Sequence, residues 1–187
     1  GEAGMITLIT GGARSGKSGY AERLAAQSGL QVVYLATARA GDAEMGERIR
    51  LHLANRPAGW LTVEEPLALG AALRAHARAN RCLVIDCLTL WLNNLILADH
   101  PDSGEVAMIE PGPMFAAERA DLLDALRTLP GQAIAVSNEV GMGVVPLGAL
   151  NRFFVDETGR LNQAIAALAG RVVWMAAGCP VLAKGAM

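Results

Sequence analysis

Apolar residues follow two rhythms along this chain. Five short runs are continuously apolar and rich in β-branched residues: MITLIT at 5–10, QVVYLAT at 31–37, CLVID at 82–86, QAIAVS at 132–137 and RVVWMAA at 171–177. Unbroken apolarity, rather than strict alternation, is how a strand covered on both faces reads. Between these runs lie helical patterns over 17–28, about 42–55, 66–79, 88–98, 115–128 and about 149–169, the last containing Gly159. Alternation of this kind implies right-handed crossovers around a mostly parallel sheet flanked by helices, an α/β class, and not a helical bundle or a β-sandwich.

At 187 residues the chain suits one α/β domain, expected over 5–187, with the GEAG stretch before Met5 set aside because MITLIT reads directly into a strand. Hydrophobic residues make up 52% of the chain. No apolar run approaches the roughly 18 to 20 residues of a membrane span, so a soluble protein with a large interior, or an interior plus a subunit interface, is expected. The formal charge of −2 offers no electrostatic footprint for nucleic acid or an anionic membrane. The cations are nearly all arginine, and Lys17 and Lys184 are the only lysines. Cys82, Cys87 and Cys179 are an odd set without zinc-type spacing, and no signal segment precedes them, so a reducing cytoplasm is expected. The loop DHPDSGEVAMIEPGPM at 99–114 joins two helices and reads as a lid or an interface arm.

Chemistry enters with GGARSGKS, which runs Gly11, Gly12, Ala13, Arg14, Ser15, Gly16, Lys17, Ser18 and fits G-x-x-x-x-G-K-[ST] between an apolar strand and a helix. In such a loop the glycines let successive N–H groups turn inward around phosphate oxygens. The helix contributes its positive end, Lys17 reaches the β- and γ-phosphates, and the Ser18 hydroxyl ligates Mg²⁺. Asp86 closes the strand CLVID, where a phosphate-loop protein needs a carboxylate near Mg²⁺; the competing role is a cap on the following helix. This pattern specifies nucleotide and magnesium, and leaves kinase, ATPase, GTPase and nucleotidyltransferase open.

Other polar groups are less decided. In ERIRLHLANRP, at 47–57, Met45, Ile49 and Leu53 share a stripe and His52 falls about 60° from its centre. A histidine at such a boundary is ordinarily structural, and Leu51, nearly opposite, is unexplained by amphipathicity. His76 and His100 read as solvated helix and loop residues. SNEVGMGVVP, at 137–146, is a further loop at the carboxyl edge of the sheet, with Asn138 and Glu139 at the strand end. Arg152, Asp156 and Arg160 recur at four-residue steps and read as an ion-paired helix face.

Taken in order, GGARSGKS, YLATA, RIRLHLANRP, VIDCLTLWLNNL, NEVGMGVVP and DETGRLNQ closely resemble the bifunctional adenosylcobinamide kinase/adenosylcobinamide-phosphate guanylyltransferase family of cobalamin biosynthesis, from Met5 to the AGCP tail. The resemblance implies a P-loop NTPase fold of RecA-like type. It implies phosphorylation of the aminopropanol hydroxyl of adenosylcobinamide with ATP or GTP. Transfer of GMP from GTP onto a histidine follows, and then from the histidine to the corrinoid phosphate, giving adenosylcobinamide-GDP and pyrophosphate. The family pattern R-I-x-x-H-x-x-x-R-P falls with its guanylylated histidine on His52 and its Arg-Pro on Arg56 and Pro57. Nucleotide contacts carried over are Gly11 to Ser18, Thr37, Ala38, Arg39, Leu53, Ala54, Asn55, Arg56, Glu64 and Asp86, with Ser18 and Asp86 toward the metal. Where some relatives have a second histidine just before the nucleophile, this chain has Leu51. A homotrimer is also implied. Two rivals stay in view: a P-loop small-molecule kinase in which His52 is structural, and a nucleotide-binding regulatory module.

Overall fold

The computed structural model describes residues 4–39, 54, 56–101 and 108–187. Strands β1 (Met5–Gly11), β2 (Gln31–Ala36), β3 (Leu61–Glu64), β4 (Arg81–Asp86), β5 (Gln132–Val136), β6 (Arg171–Ala176) and β7 (Cys179–Lys184) form one sheet in the order β3-β2-β4-β5-β1-β6-β7. All neighbours are parallel except β7, which runs antiparallel to β6. The expected parallel α/β architecture is therefore present. Two strands were not read from the sequence. LTVE in β3 is short and exposed at both ends, and CPVLAK in β7 is exposed along its whole length, so neither gives the unbroken apolar run of a covered strand. Pro180 is tolerated in β7 because that strand lies at the sheet edge.

The inner strands are apolar on both sides because both sides are covered. On one face Ile9, Val32, Tyr34, Ala36, Val84, Ile134, Val136, Val173 and Met175 pack with Tyr20, Ala21 and Ala25 of α1 (Lys17–Gln27). On the other, Ile6, Leu8, Val33, Leu35, Leu83, Ile85, Ala133 and Ala135 meet α2 (Leu69–His76), α3 (Leu88–Asp99), α4 (Pro113–Arg127) and α5 (Ala149–Leu168). Trp91 of α3 is fully buried there, with its indole N–H donating to the carbonyl of Leu67 at 2.7 Å, so its bulk adds core without stranding a polar atom.

The helix expectations hold with adjusted ends. The 66–79 pattern shortens to α2, since the Glu65 carboxylate accepts from the N–H groups of Leu67 and Ala68, both at 3.0 Å, and fixes the turn before it. Gly159 does not interrupt α5. The helix expected over about 42–55 lies outside the described residues apart from Ala54. The ends of the 99–114 loop are tied together. Asp99 accepts from the N–H groups of Met114 and Phe115 at 3.1 and 2.8 Å, satisfying the start of α4, and His100 Nε2 lies 3.1 Å from the carbonyl of Glu110. His100 is therefore a half-buried tether rather than a solvated loop residue, and His76 is half-buried as well. The run Arg152, Asp156, Arg160 is not one ion-paired face. Arg160 pairs with Glu157 at 2.5 Å, and Arg152 turns to the carbonyls of Pro146 and Leu147.

Candidate functional site

Six parallel strands deliver their carboxyl ends to one edge, and the residues with chemistry gather along it. After β1 the chain makes the loop Gly11–Ser18 and enters α1, with Gly16 capping the helix at φ 94°. Two glycines are required here. A Cβ on Gly11 would stand 2.6 Å from the Met175 carbonyl oxygen and 2.7 Å from Ser15 Oγ, and Gly16 holds a positive φ beside Gly178. Further contacts fix the loop to its neighbours: Glu139 N–H donates to the Gly11 carbonyl at 3.0 Å and Gly178 N–H to the Ser15 carbonyl at 2.9 Å. The Lys17 ammonium is folded into the loop, donating to the Gly12 carbonyl and, at 3.4 Å, to Ser15 Oγ. Burial pushes its pKa below the ordinary lysine value, against the opposing pull of Cys87 and Asp86. Gly12, Ala13 and Arg14 are exposed, and Ser18 is half-buried.

Asp86 ends β4, and the alternative role of capping α3 falls to its neighbour: Cys87 is the N-cap, its sulfur accepting from Leu90 N–H. Burial and the Asp86 charge push the Cys87 thiol up to about 11, which keeps it protonated at neutral pH. Asp86 accepts the hydroxyl hydrogen of Tyr34 from β2. Burial, with the Asp86 charge and this hydrogen bond, raises the Tyr34 pKa well above its usual value, so the phenol stays a donor. Thr37 follows β2 and clasps the next turn, its Oγ1 donating to the Cys87 carbonyl at 2.8 Å and accepting from Cys87 N–H at 3.0 Å. Asn94 of α3 donates to the Thr37 carbonyl at 2.8 Å.

Arg56 joins this cluster from the far side. Its guanidinium carbon lies 3.3 Å from the centre of the Tyr34 ring, and Nη1 donates to Thr62 Oγ1 of β3 at 2.9 Å. Its Nε is buried and has no hydrogen-bond partner among the described residues, leaving a donor spare. Ala38 is buried and Arg39 exposed just beyond β2, Ala54 is exposed, and Glu64 ends β3 beside Ala36. His52, Leu51, Leu53 and Asn55 lie outside the described residues.

Two groupings thus share the edge. Adjacent strands lie about 4.8 Å apart, so the carboxyl end of the β1 backbone is about 10 Å from that of β4, about 14 Å from that of β2 and about 19 Å from that of β3, while the Lys17 side chain reaches into the field of Asp86 and Cys87. Sequence reasoning placed Gly11 to Ser18, Thr37, Arg56 and Asp86 at this edge and missed Tyr34 and Asn94. Tyr34 is the one aromatic in QVVYLAT and by itself reads as core, whereas Asn94 interrupts the apolar run of α3 and was the available signal.

Ser18 and Asp86 also fit a magnesium ion. Among the described residues the Ser18 hydroxyl has no hydrogen-bond partner, Asp86 spends one oxygen on Tyr34, and no cluster of three or more His, Cys, Asp or Glu suited to a metal occurs. Few protein ligands, with the remainder supplied by water and phosphates, is the manner in which Mg²⁺ is bound.

The sheet with one strand between β1 and β4, and the phosphate loop between β1 and α1, define a P-loop α/β protein. A solved ATPase from the type III secretion system of pathogenic bacteria shares this fold, with a TM-score of 0.56 and 14% identity over 92% of this chain and 51% of that one. Residues 7–182 match the family described as cobinamide kinase / cobinamide phosphate guanyltransferase, and the chain belongs to that family. The bifunctional adenosylcobalamin biosynthesis protein CobP of Pseudomonas aeruginosa is 58% identical over 97% of this chain and 98% of its own. The CobU proteins of Escherichia coli and Salmonella typhimurium, named in the same way, are 39% and 38% identical over 96% of this chain and the whole of theirs.

Proposed function

We propose that the chain phosphorylates adenosylcobinamide with ATP or GTP and then guanylylates the product from GTP, giving adenosylcobinamide-GDP and pyrophosphate. Family membership across residues 7–182 carries this reading. In the first step the loop Gly11–Ser18 binds the triphosphate, and Lys17 with the N-terminus of α1 offsets charge on the phosphoryl group and leaving diphosphate. Mg²⁺ held through Ser18 and Asp86 would screen the phosphate charge and fix the orientation of the nucleotide. Tyr34 keeps Asp86 aimed and Thr37 braces the turn behind it.

In the second step the imidazole of His52 attacks the α-phosphorus of GTP, the bond to the bridging oxygen breaks, and pyrophosphate leaves with the electron pair. Ordinary imidazole is mostly neutral at cellular pH, as a nucleophile must be. The corrinoid phosphate then attacks the same phosphorus and the P–N bond breaks, with protonated imidazole the competent leaving group. Arg56, four residues beyond His52 and carrying a spare donor, contacts the nucleotide phosphate. The separation of about 14 Å between the backbone ends of β1 and β2 favours two nucleotide poses along the edge, since reacting atoms must come within about 3.5 Å.

The protein works as a homotrimer in the cytoplasm. Exposed Val181 and Leu182 of β7 supply apolar surface for self-association, and three free cysteines suit a reducing compartment. No helix among the described residues is long and apolar enough to cross a membrane. Sedimentation equilibrium is expected to give three times the chain mass, and a monomer at micromolar concentration would contradict it. The two steps are checked by mass spectrometry of the corrinoid: wild type carries adenosylcobinamide through the phosphate to the GDP form, and His52→Ala stops at the phosphate. If His52→Ala still yields the GDP form, His52 carries no GMP; if wild type stops at the phosphate, the plain kinase is the better reading.

A further inference from the structure

The loop after β5 holds a carboxylate that the steps above leave without a task. Segment 137–139 continues alongside the start of the phosphate loop: Ser137 N–H donates to the Ile9 carbonyl at 2.9 Å and Glu139 N–H to the Gly11 carbonyl at 3.0 Å. From behind, Asn138 N–H donates to Thr89 Oγ1 at 2.8 Å, Ser137 Oγ to Asn162 Oδ1 at 2.5 Å, and Asn162 Nδ2 to the Asn138 carbonyl at 3.3 Å. The backbone of Glu139 is thus fixed to the first residue of the phosphate loop. Its half-buried carboxylate makes no hydrogen bond or ion pair with the described residues. It opens on a cleft of about 430 Å³ lined by Thr10, Met142, Asn162, Gln163 and Trp174, the first of which immediately precedes Gly11. Apolar surface adjoins that cleft, with Met142, Val144, Val145 and Leu147 exposed on the following loop. A carboxylate beside the phosphate loop, at the mouth of an apolar cleft, suits an aliphatic hydroxyl carried by a bulky acceptor.

We propose that Glu139 is the base of the kinase step, taking the proton from the acceptor hydroxyl. The hydroxyl oxygen forms its bond to the γ-phosphorus, the bond from that phosphorus to the β–γ bridging oxygen breaks, and the diphosphate leaves with the electron pair. The proton passes to a Glu139 carboxylate oxygen and from there to solvent through the open cleft. This rests on the kinase reading above. Cleft and carboxylate together explain why a strand-end loop carries an acid with no partner among the described residues, since an ion-paired Glu139 would be a poor acceptor.

Glu139→Gln keeps the size and polarity of the side chain while removing the base that takes the proton. In the full chain with Mg²⁺ and ATP, phosphorylation of adenosylcobinamide is expected to fall by about 10² to 10⁴ in kcat, with KM little changed. Transfer of GMP from GTP to pre-formed adenosylcobinamide phosphate is expected to persist, which also reports an intact fold, and Glu139→Asp is expected to recover part of the kinase rate. An unchanged kinase rate in Glu139→Gln overturns the proposal. Equal loss of both steps overturns it too, marking Glu139 as a support of the phosphate loop. A wild type that phosphorylates no adenosylcobinamide sinks the kinase reading itself, an outcome distinct from an active wild type matched by Glu139→Gln.

Discussion

Tyr34 joins three residues of the candidate site: its hydroxyl serves Asp86, its face carries the Arg56 guanidinium, and its strand leads to Thr37. Replacing it by phenylalanine keeps the stacking and removes the donor to a carboxylate, which is expected to cost about 1 to 2 kcal/mol near neutral pH. The folded-state pKa is raised, so the Tyr34 contribution is fully present below about pH 10, where unfolded tyrosine ionises, and is lost as pH rises above it. Urea unfolding at a series of pH values is expected to show the wild-type advantage over Tyr34→Phe shrinking on the alkaline side; parallel curves contradict the linkage. Lys17→Ala is expected to weaken MgGTP binding at least about tenfold by calorimetry, a loss of about 1.4 kcal/mol. Burial lowers the Lys17 pKa, so wild-type affinity is expected to decline on raising pH earlier than an exposed lysine would allow. Lys17, Ser18 and Asp86 were legible in the sequence because a motif with strand and helix context fixes their place. Tyr34 was not, because an aromatic in an apolar strand reads as core and its partner is 52 residues away. For His52 the periodicity alone favoured a structural residue, and only the family pattern assigned it chemistry.

The strands that carry the edge were legible as elements, since a strand covered on both faces leaves an unbroken apolar run. Those at the ends of the sheet were not: β3 and β7 lose half their apolar signal to solvent, and their assignment depends on the partner strand. Glu65 and Cys87 fix the starts of α2 and α3 locally, but the start of α4 is set by a group distant in sequence. Asp99 closes α3 and caps α4 across a loop, a role no local pattern reveals. Asp99→Ala is expected to lower the unfolding free energy by about 1 to 2 kcal/mol, with Asp99→Asn retaining part of the loss, as measured by urea titration. No change would mean that water satisfies the start of α4 equally well. At the other edge of the fold Gly11→Ala forces its methyl against the Met175 carbonyl and Ser15. Thermal unfolding is expected to fall by several degrees and MgGTP affinity to fall with it, because loop and β6 must separate. An alanine variant with wild-type melting and affinity would show that the contact relaxes freely.

At the scale of the whole molecule, the strand order sets the distance between the two chemistries. With β5 and β4 between β1 and β2, the phosphate loop and the Thr37–Arg56 cluster occupy different stretches of one edge, and the loop bearing Glu139 faces the first of them. Such an order cannot be read from strand patterns, since it depends on which crossovers skip a neighbour. Family resemblance supplied the reaction, and the strand order is the ground for the two nucleotide poses proposed above. The claim that a histidine carries GMP between them is tested most directly by incubating the full chain with Mg²⁺ and GTP labelled at the α-phosphate. Wild type is expected to acquire a covalent label that is lost in acid and kept in base, to release pyrophosphate in step with it, and to surrender the label to adenosylcobinamide phosphate, whereas His52→Ala acquires none. A folded, magnesium-replete wild type that takes up no label while still making adenosylcobinamide-GDP would contradict the covalent route.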